Sequence, residues 1–132
     1  ACWKGRARAG CPRQTITPGP QMPQTAIDLD HLSRQTGGDQ DLERELLALF
    51  AQQCVRHLRA IHQAEDRTAR LDAAHTLKGA ARAIGAWQVA DAADAIEQRL
   101  AAADPRLEQA MDTLALAAAE ARAVIARYDS AA

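Results

Sequence analysis

The sequence predicts an all-α protein, an up-down-up-down bundle of four long helices preceded by one short helix. Three observations predict it. Apolar residues make up 48 % of the chain but aromatics only 3 %, with alanine prominent, a composition that suits closely packed helices better than a β-sandwich or barrel rich in Val, Ile, Thr and aromatics. From Asp28 onward the apolar residues recur at three- and four-residue intervals, the helical period. The breaks between periodic segments are short, which makes successive helices antiparallel neighbours. At 132 residues the chain has the size of one ordinary domain with a real core.

The elements follow in order. A short helix from Asp28 to about Arg34 is stopped by the Thr36–Gly38 stretch "TGG". A long helix from about Asp39 to Gln63 carries the stripe Leu46, Phe50, Cys54, Leu58 and Ile61. Asp66 suits the N-cap of a third helix, Arg67 to Ile84, and Gly85 its C-terminal stop. The fourth, Trp87 to Ala102, presents Val89, Ala93, Ile96 and Leu100. Asp104 and Pro105 supply an N-cap and first-turn proline for a fifth helix reaching about Tyr128, with Leu107, Met111, Leu114, Ala118, Ala121 and Ile125 inward. Residues 26–130 thus form the bundle domain. Residues 1–25, with Pro12, Pro18, Gly19, Pro20 and Pro23 and no apolar periodicity, read as a flexible basic tail; a natural start at Met22 is one reading of this boundary.

The net charge of −1 conceals an asymmetry. Lys4, Arg6, Arg8 and Arg13 lie in a tail without acids, and every Asp and Glu falls from Asp28 onward. The body is acidic, which argues against nucleic acid as a partner, because phosphate binding needs a basic face. Cys2, Cys11 and Cys54 give neither a disulfide framework nor a CxxC metal spacing. No apolar run spans a membrane and no secretion signal is evident, so the expected setting is cytoplasmic.

The chemistry concentrates in "AHTLKGAARAIG", Ala74 to Gly85. At about 100° per residue, Ala73, Leu77, Ala80, Ala81 and Ile84 gather on the core side of the third helix, and His75, Lys78, Gly79 and Arg82 on the outer side. An exposed neutral imidazole is a nucleophile, whereas a buried one usually satisfies a core hydrogen bond. Lys78, one turn on, can balance the charge of an incoming phosphoryl group, with Arg82 a second candidate for the same work. Gly79 costs its helix about 1 kcal/mol relative to alanine; the expected return is access, since no side chain stands beside the imidazole to obstruct a partner's active site. No His or Cys stands three or four residues from His75, which argues against a metal site. Leu71, a turn before His75, and Leu42 and Leu49, off the main stripe of the second helix, are candidates for an apolar docking patch, the alternative being that Leu42 and Leu49 pack under the short first helix.

These residues resemble the signature of histidine-containing phosphotransfer (HPt) domains, His-x-x-Lys-Gly followed by an aliphatic-Gly pair, here His75, Lys78, Gly79 and the pair Ile84 and Gly85. The resemblance extends to the order of helices over about Asp28 to Tyr128. It implies a monomeric phosphorelay intermediate in which His75 accepts a phosphoryl group from the aspartate of a response-regulator receiver domain, free or within a hybrid histidine kinase, and passes it to another receiver. It implies that the chain itself needs no cofactor, Mg²⁺ belonging to the receiver's acidic pocket. Some members place a carboxylate on the next helix to hold the other ring nitrogen, and the position that matches by count is Glu97. Nothing in the sequence resembles an ATP-binding kinase domain. Two alternatives stand beside this reading. One is a non-catalytic helical protein that docks on receivers, disfavoured because docking alone has no need of the nucleophile. The other is the phosphotransfer fragment of a chemotaxis-type kinase, disfavoured by the lack of a following dimerisation or ATP-binding segment.

Overall fold

The computed structural model describes residues 26–131; the tail and its Cys2 and Cys11 lie outside the described residues. Five helices follow one another: α1 Leu29–Thr36, α2 Gln40–Gln63, α3 Arg67–Ile84, α4 Trp87–Ala102 and α5 Leu107–Ala131. The three aspartates that precede α1, α2 and α3 act as N-caps. Asp28 accepts from the His31 N–H, Asp39 from Leu42 and Asp66 from Thr68, satisfying N–H groups that a helix start leaves without partners. Gly37 and Gly85 end α1 and α3 in the left-handed region, at φ 67° and 93°. Ala103 ends α4 in the same region, at φ 52°.

The four long helices stand in chain order around a square, α2 against α3, α3 against α4, α4 against α5 and α5 back against α2. Cross-helix contacts fix the antiparallel sense. Arg67 at the start of α3 donates to the Leu100 carbonyl at the end of α4, at 3.1 Å, and Tyr128 near the end of α5 donates to Glu43 near the start of α2, at 2.8 Å. Phe50, Leu47, Cys54, Ile61, Leu77, Val89, Ile96 and Leu114 are the largest fully buried long-helix side chains. Alanines fill much of the remaining interior: Ala73, Ala74 and Ala81 on α3 and Ala90, Ala92 and Ala93 on α4 are all buried. Small side chains let helix axes approach, and the site depends on that closeness between α3 and α4.

Two sequence expectations need correction. On α2 the buried stripe is Glu43, Leu47, Phe50, Cys54 and Ile61, with Leu46 and Leu58 only half-buried against it. Two adjacent leucines offer alternative registers, and packing selects Leu47, which lies three residues before Phe50. α5 begins at Leu107 rather than at Pro105. Asp104 accepts from the Arg106 N–H at 2.8 Å and forms a turn ahead of the helix. The Arg106 guanidinium 2.9 Å away, and after it this backbone contact, hold the Asp104 carboxyl down at about 2.

The short helix α1 packs on α2 and α3 and is tied down at both ends. At its start, the Asp28 N–H donates to the Gly85 carbonyl at 2.9 Å, the Trp87 indole N–H donates to Asp28 at 3.0 Å, and the His31 and Trp87 rings meet edge to face with centroids 4.9 Å apart. At its end, Thr36 donates to Glu43 at 3.0 Å. Glu43 is the one charged side chain in the core of the described residues; its two oxygens accept from Thr36 and Tyr128, which is how a buried carboxylate avoids the cost of lost hydration.

Candidate functional site

α3 carries His75 near its middle, with Ala74 and Leu77 fully buried beside it. The helix is therefore pinned by its core face while the imidazole stands outward, its side chain 71 % exposed. Across the seam, Ile96 is fully buried on α4, which sets the next residue, Glu97, at the edge facing α3. Glu97 Oε2 lies 3.2 Å from His75 Nδ1. Glu97 Oε1 lies 2.7 Å from the Lys78 ammonium. One carboxylate thus spans two side chains that are a single turn apart on α3.

Lys78 departs from the expected placement. Its side chain is only 14 % exposed and folds across the seam onto α4 instead of standing on the open face with His75. There it meets a second carboxylate, Asp94 Oδ1, at 3.1 Å, whose other oxygen accepts from the Gln98 amide at 2.7 Å. The Glu97 carboxylate 2.7 Å away first, and the Asp94 carboxylate second, hold the Lys78 ammonium above its usual range, with burial opposing them. Sequence reasoning missed Asp94 and Gln98. The available signal was the i, i+3 spacing of Asp94 and Glu97, which places both carboxylates on one face of α4.

Gly79 has open space where a Cβ would stand. Arg82 is exposed and forms no ion pair among the described residues. Leu71 is half-buried and packs against the core, so it contributes less open surface than the docking expectation required. Leu42 and Leu49 are exposed and are not packed away beneath α1. Cys54 is fully buried, and burial pushes its thiol up to about 11, well away from reactive thiolate character. Among the described residues, no helix is long and apolar enough to cross a membrane.

The result is an antiparallel bundle that presents an exposed imidazole from its second long helix, with a carboxylate from the next helix beside it. The family model described as the Hpt domain matches residues 45–127, well over half of the chain, and the chain belongs to that family. No curated protein and no solved structure matches it. Membership places the chain in histidine phosphotransfer within two-component signalling, as a phosphocarrier module and not a kinase domain, of a family whose members interact with response-regulator receiver domains.

Proposed function

We propose that His75 accepts a phosphoryl group from the aspartyl phosphate of one receiver domain and passes it to the aspartate of another. The observation that carries this reading is the placement of the two ring nitrogens. Nδ1 faces Glu97 at 3.2 Å, and a carboxylate there favours the tautomer with its proton on Nδ1. The lone pair is then on Nε2, on a ring that is largely in solvent.

In this reaction the Nε2 lone pair attacks phosphorus in line and the bond from phosphorus to the aspartyl oxygen breaks. The oxygen leaves as a carboxylate. The ring keeps its Nδ1 proton, and Glu97 offsets the positive charge that the ring acquires. Transfer of this kind relies on positioning and charge stabilisation rather than on covalent help from the protein. Mg²⁺ is supplied by the receiver. Lys78 balances phosphoryl charge on this side of the interface, Arg82 is the exposed cation nearest along α3, and the bare surface at Gly79 admits the receiver's acidic pocket.

The test is transfer from a radiolabelled phospho-receiver to the intact protein and to His75→Gln. Label that is acid-labile and base-stable on the intact protein, and absent from the variant, is the expected result. Binding of competent phospho-receivers without any label would overturn the reading in favour of docking alone.

A further inference from the structure

The Lys78 ammonium serves two carboxylates, and only one of them touches the histidine. Glu97 bridges Lys78 and His75. Asp94 touches Lys78 but makes no contact with His75, and its free oxygen is itself fixed by Gln98. The result is a chain of contacts, Gln98 to Asp94 to Lys78 to Glu97 to His75, running along the seam between α3 and α4. Its ionised members are two carboxylates and one ammonium, so the lysine charge is fully neutralised before any phosphoryl group arrives. The exposures of the two α3 side chains differ in the same sense: the nucleophile stands out at 71 % and the cation lies down at 14 %.

We infer that Asp94 is a positioning residue that withholds Lys78 from the phosphoryl site, so that Asp94 and the phosphoryl group compete for one ammonium. This rests on His75 being the phosphoryl acceptor. Glu97 and Asp94 face two of the three ammonium donors, so a phosphoryl dianion on Nε2 draws on Lys78 against the pull of Asp94 on the same charge. The phosphohistidine is accordingly less stabilised than the nearby lysine alone would make it, and the group is kept ready to be handed on. Asp94→Asn retains the size of the side chain and an amide oxygen that can still accept from Gln98 or Lys78, while it removes the charge that holds the lysine. Lys78 then reaches the phosphoryl group more readily.

Two measurements test this on the same set of proteins: the intact chain, Asp94→Asn, Asp94→Glu, Lys78→Gln and the Lys78→Gln/Asp94→Asn double variant. The first is the rate at which phosphoramidate, a small chemical donor, phosphorylates His75, followed by the mass gain of the protein. The second is the equilibrium between phospho-receiver and phosphorylated protein. Asp94→Asn is expected to raise the rate and to shift the equilibrium toward phospho-His75 by about fivefold, the scale of a partly exposed ion pair. Asp94→Glu is expected to stay near the intact protein, and the double variant to match Lys78→Gln. An unchanged Asp94→Asn would overturn the proposal. So would a gain that persists without Lys78, since Asp94 would then act on the phosphoryl group directly through its field. If phosphoramidate labels His75 and shows this pattern but no receiver exchanges with it, the relay reading fails while the role of Asp94 stands; if receivers exchange and Asp94→Asn is silent in both measurements, only the role of Asp94 fails.

Discussion

Glu97 Oε2 lies 3.2 Å from His75 Nδ1 across the seam between α3 and α4, a contact between residues 22 apart in sequence. It couples the exposed ring to a second helix and, in the proposed relay, favours the tautomer with its proton on Nδ1.

Replacing Glu97 therefore has a defined consequence. An imidazole without a fixed acceptor populates both tautomers, and the form protonated on Nε2 cannot attack. Glu97→Ala is expected to lower the rate of His75 phosphorylation about tenfold, in the range found when an orienting partner of a histidine is removed, with Glu97→Gln less affected because its amide oxygen still accepts. Nitrogen NMR of the ring should show the Nδ1–H form in the intact protein and a mixture in Glu97→Ala. An unmixed Nδ1–H form in the alanine variant would show that something other than Glu97 fixes the ring.

Gly79 and Gly85 make opposite predictions although they sit on one helix or at its end. A Cβ at Gly79 meets open space, so Gly79→Ala is expected to stabilise the fold by about 1 kcal/mol through helix propensity, seen as a higher melting temperature. In the proposed relay the added methyl stands on the receiver's approach path to His75. Transfer from a receiver should fall while phosphorylation by small phosphoramidate stays unchanged. Equal transfer from both donors would remove access as the reason for this glycine.

At Gly85 the backbone has φ 93°, and a Cβ would lie 2.9 Å from the Asp28 carbonyl oxygen and 3.2 Å from the His31 ring. Gly85→Ala combines left-handed strain with overpacking and is expected to cost about 2–4 kcal/mol, measured by urea unfolding. A loss below about 0.5 kcal/mol would show that neither the left-handed backbone nor the contact with α1 resists a side chain at this position.

These two glycines also mark how far the sequence can be read. Helix bounds were legible because caps announce them: Asp66 and Gly85 bracket α3, and the expected and observed limits agree at Arg67 and Ile84. The outward face of His75 was legible because Leu77 and Ile84 fix the opposite side. Helical phase alone also placed Lys78 outward, and there it fails, because a long flexible side chain follows its charge partners and not its Cβ. Asp94 lies on another helix, and only the closeness of α3 and α4 brings it within 3.1 Å of Lys78. Glu43 was illegible for a related reason. A carboxylate on the core stripe is tolerable only with Thr36 and Tyr128 as donors, and Tyr128 is 85 residues away.

The latch between α1 and the start of α4 gives a prediction in pH. The Trp87 indole N–H, and after it the His31 backbone N–H, hold the Asp28 carboxyl below its ordinary value of 3.8. A group whose pKa is depressed by folding contributes stability that is present above its unfolded value and is lost as pH falls through the folded one. The Asp28 contribution should therefore be complete well above pH 3.8, decline as pH falls below that value, and be lost once pH has passed through the lower folded value. Asp28→Asn isolates this term, since asparagine caps a helix about as well as aspartate and does not ionise in this range. Asp104 is likewise held low, at about 2, by Arg106, and so adds its own acid dependence; the informative quantity is the difference between the two proteins. Urea unfolding at pH 7 and at pH 3 should show a smaller loss of stability on acidification for Asp28→Asn than for the intact chain, and the indole N–H resonance of Trp87 should move between these pH values in the intact chain alone. Equal losses in the two proteins would place the acid sensitivity of the fold elsewhere and leave the Asp28–Trp87 contact as a geometric tie without a titrating charge.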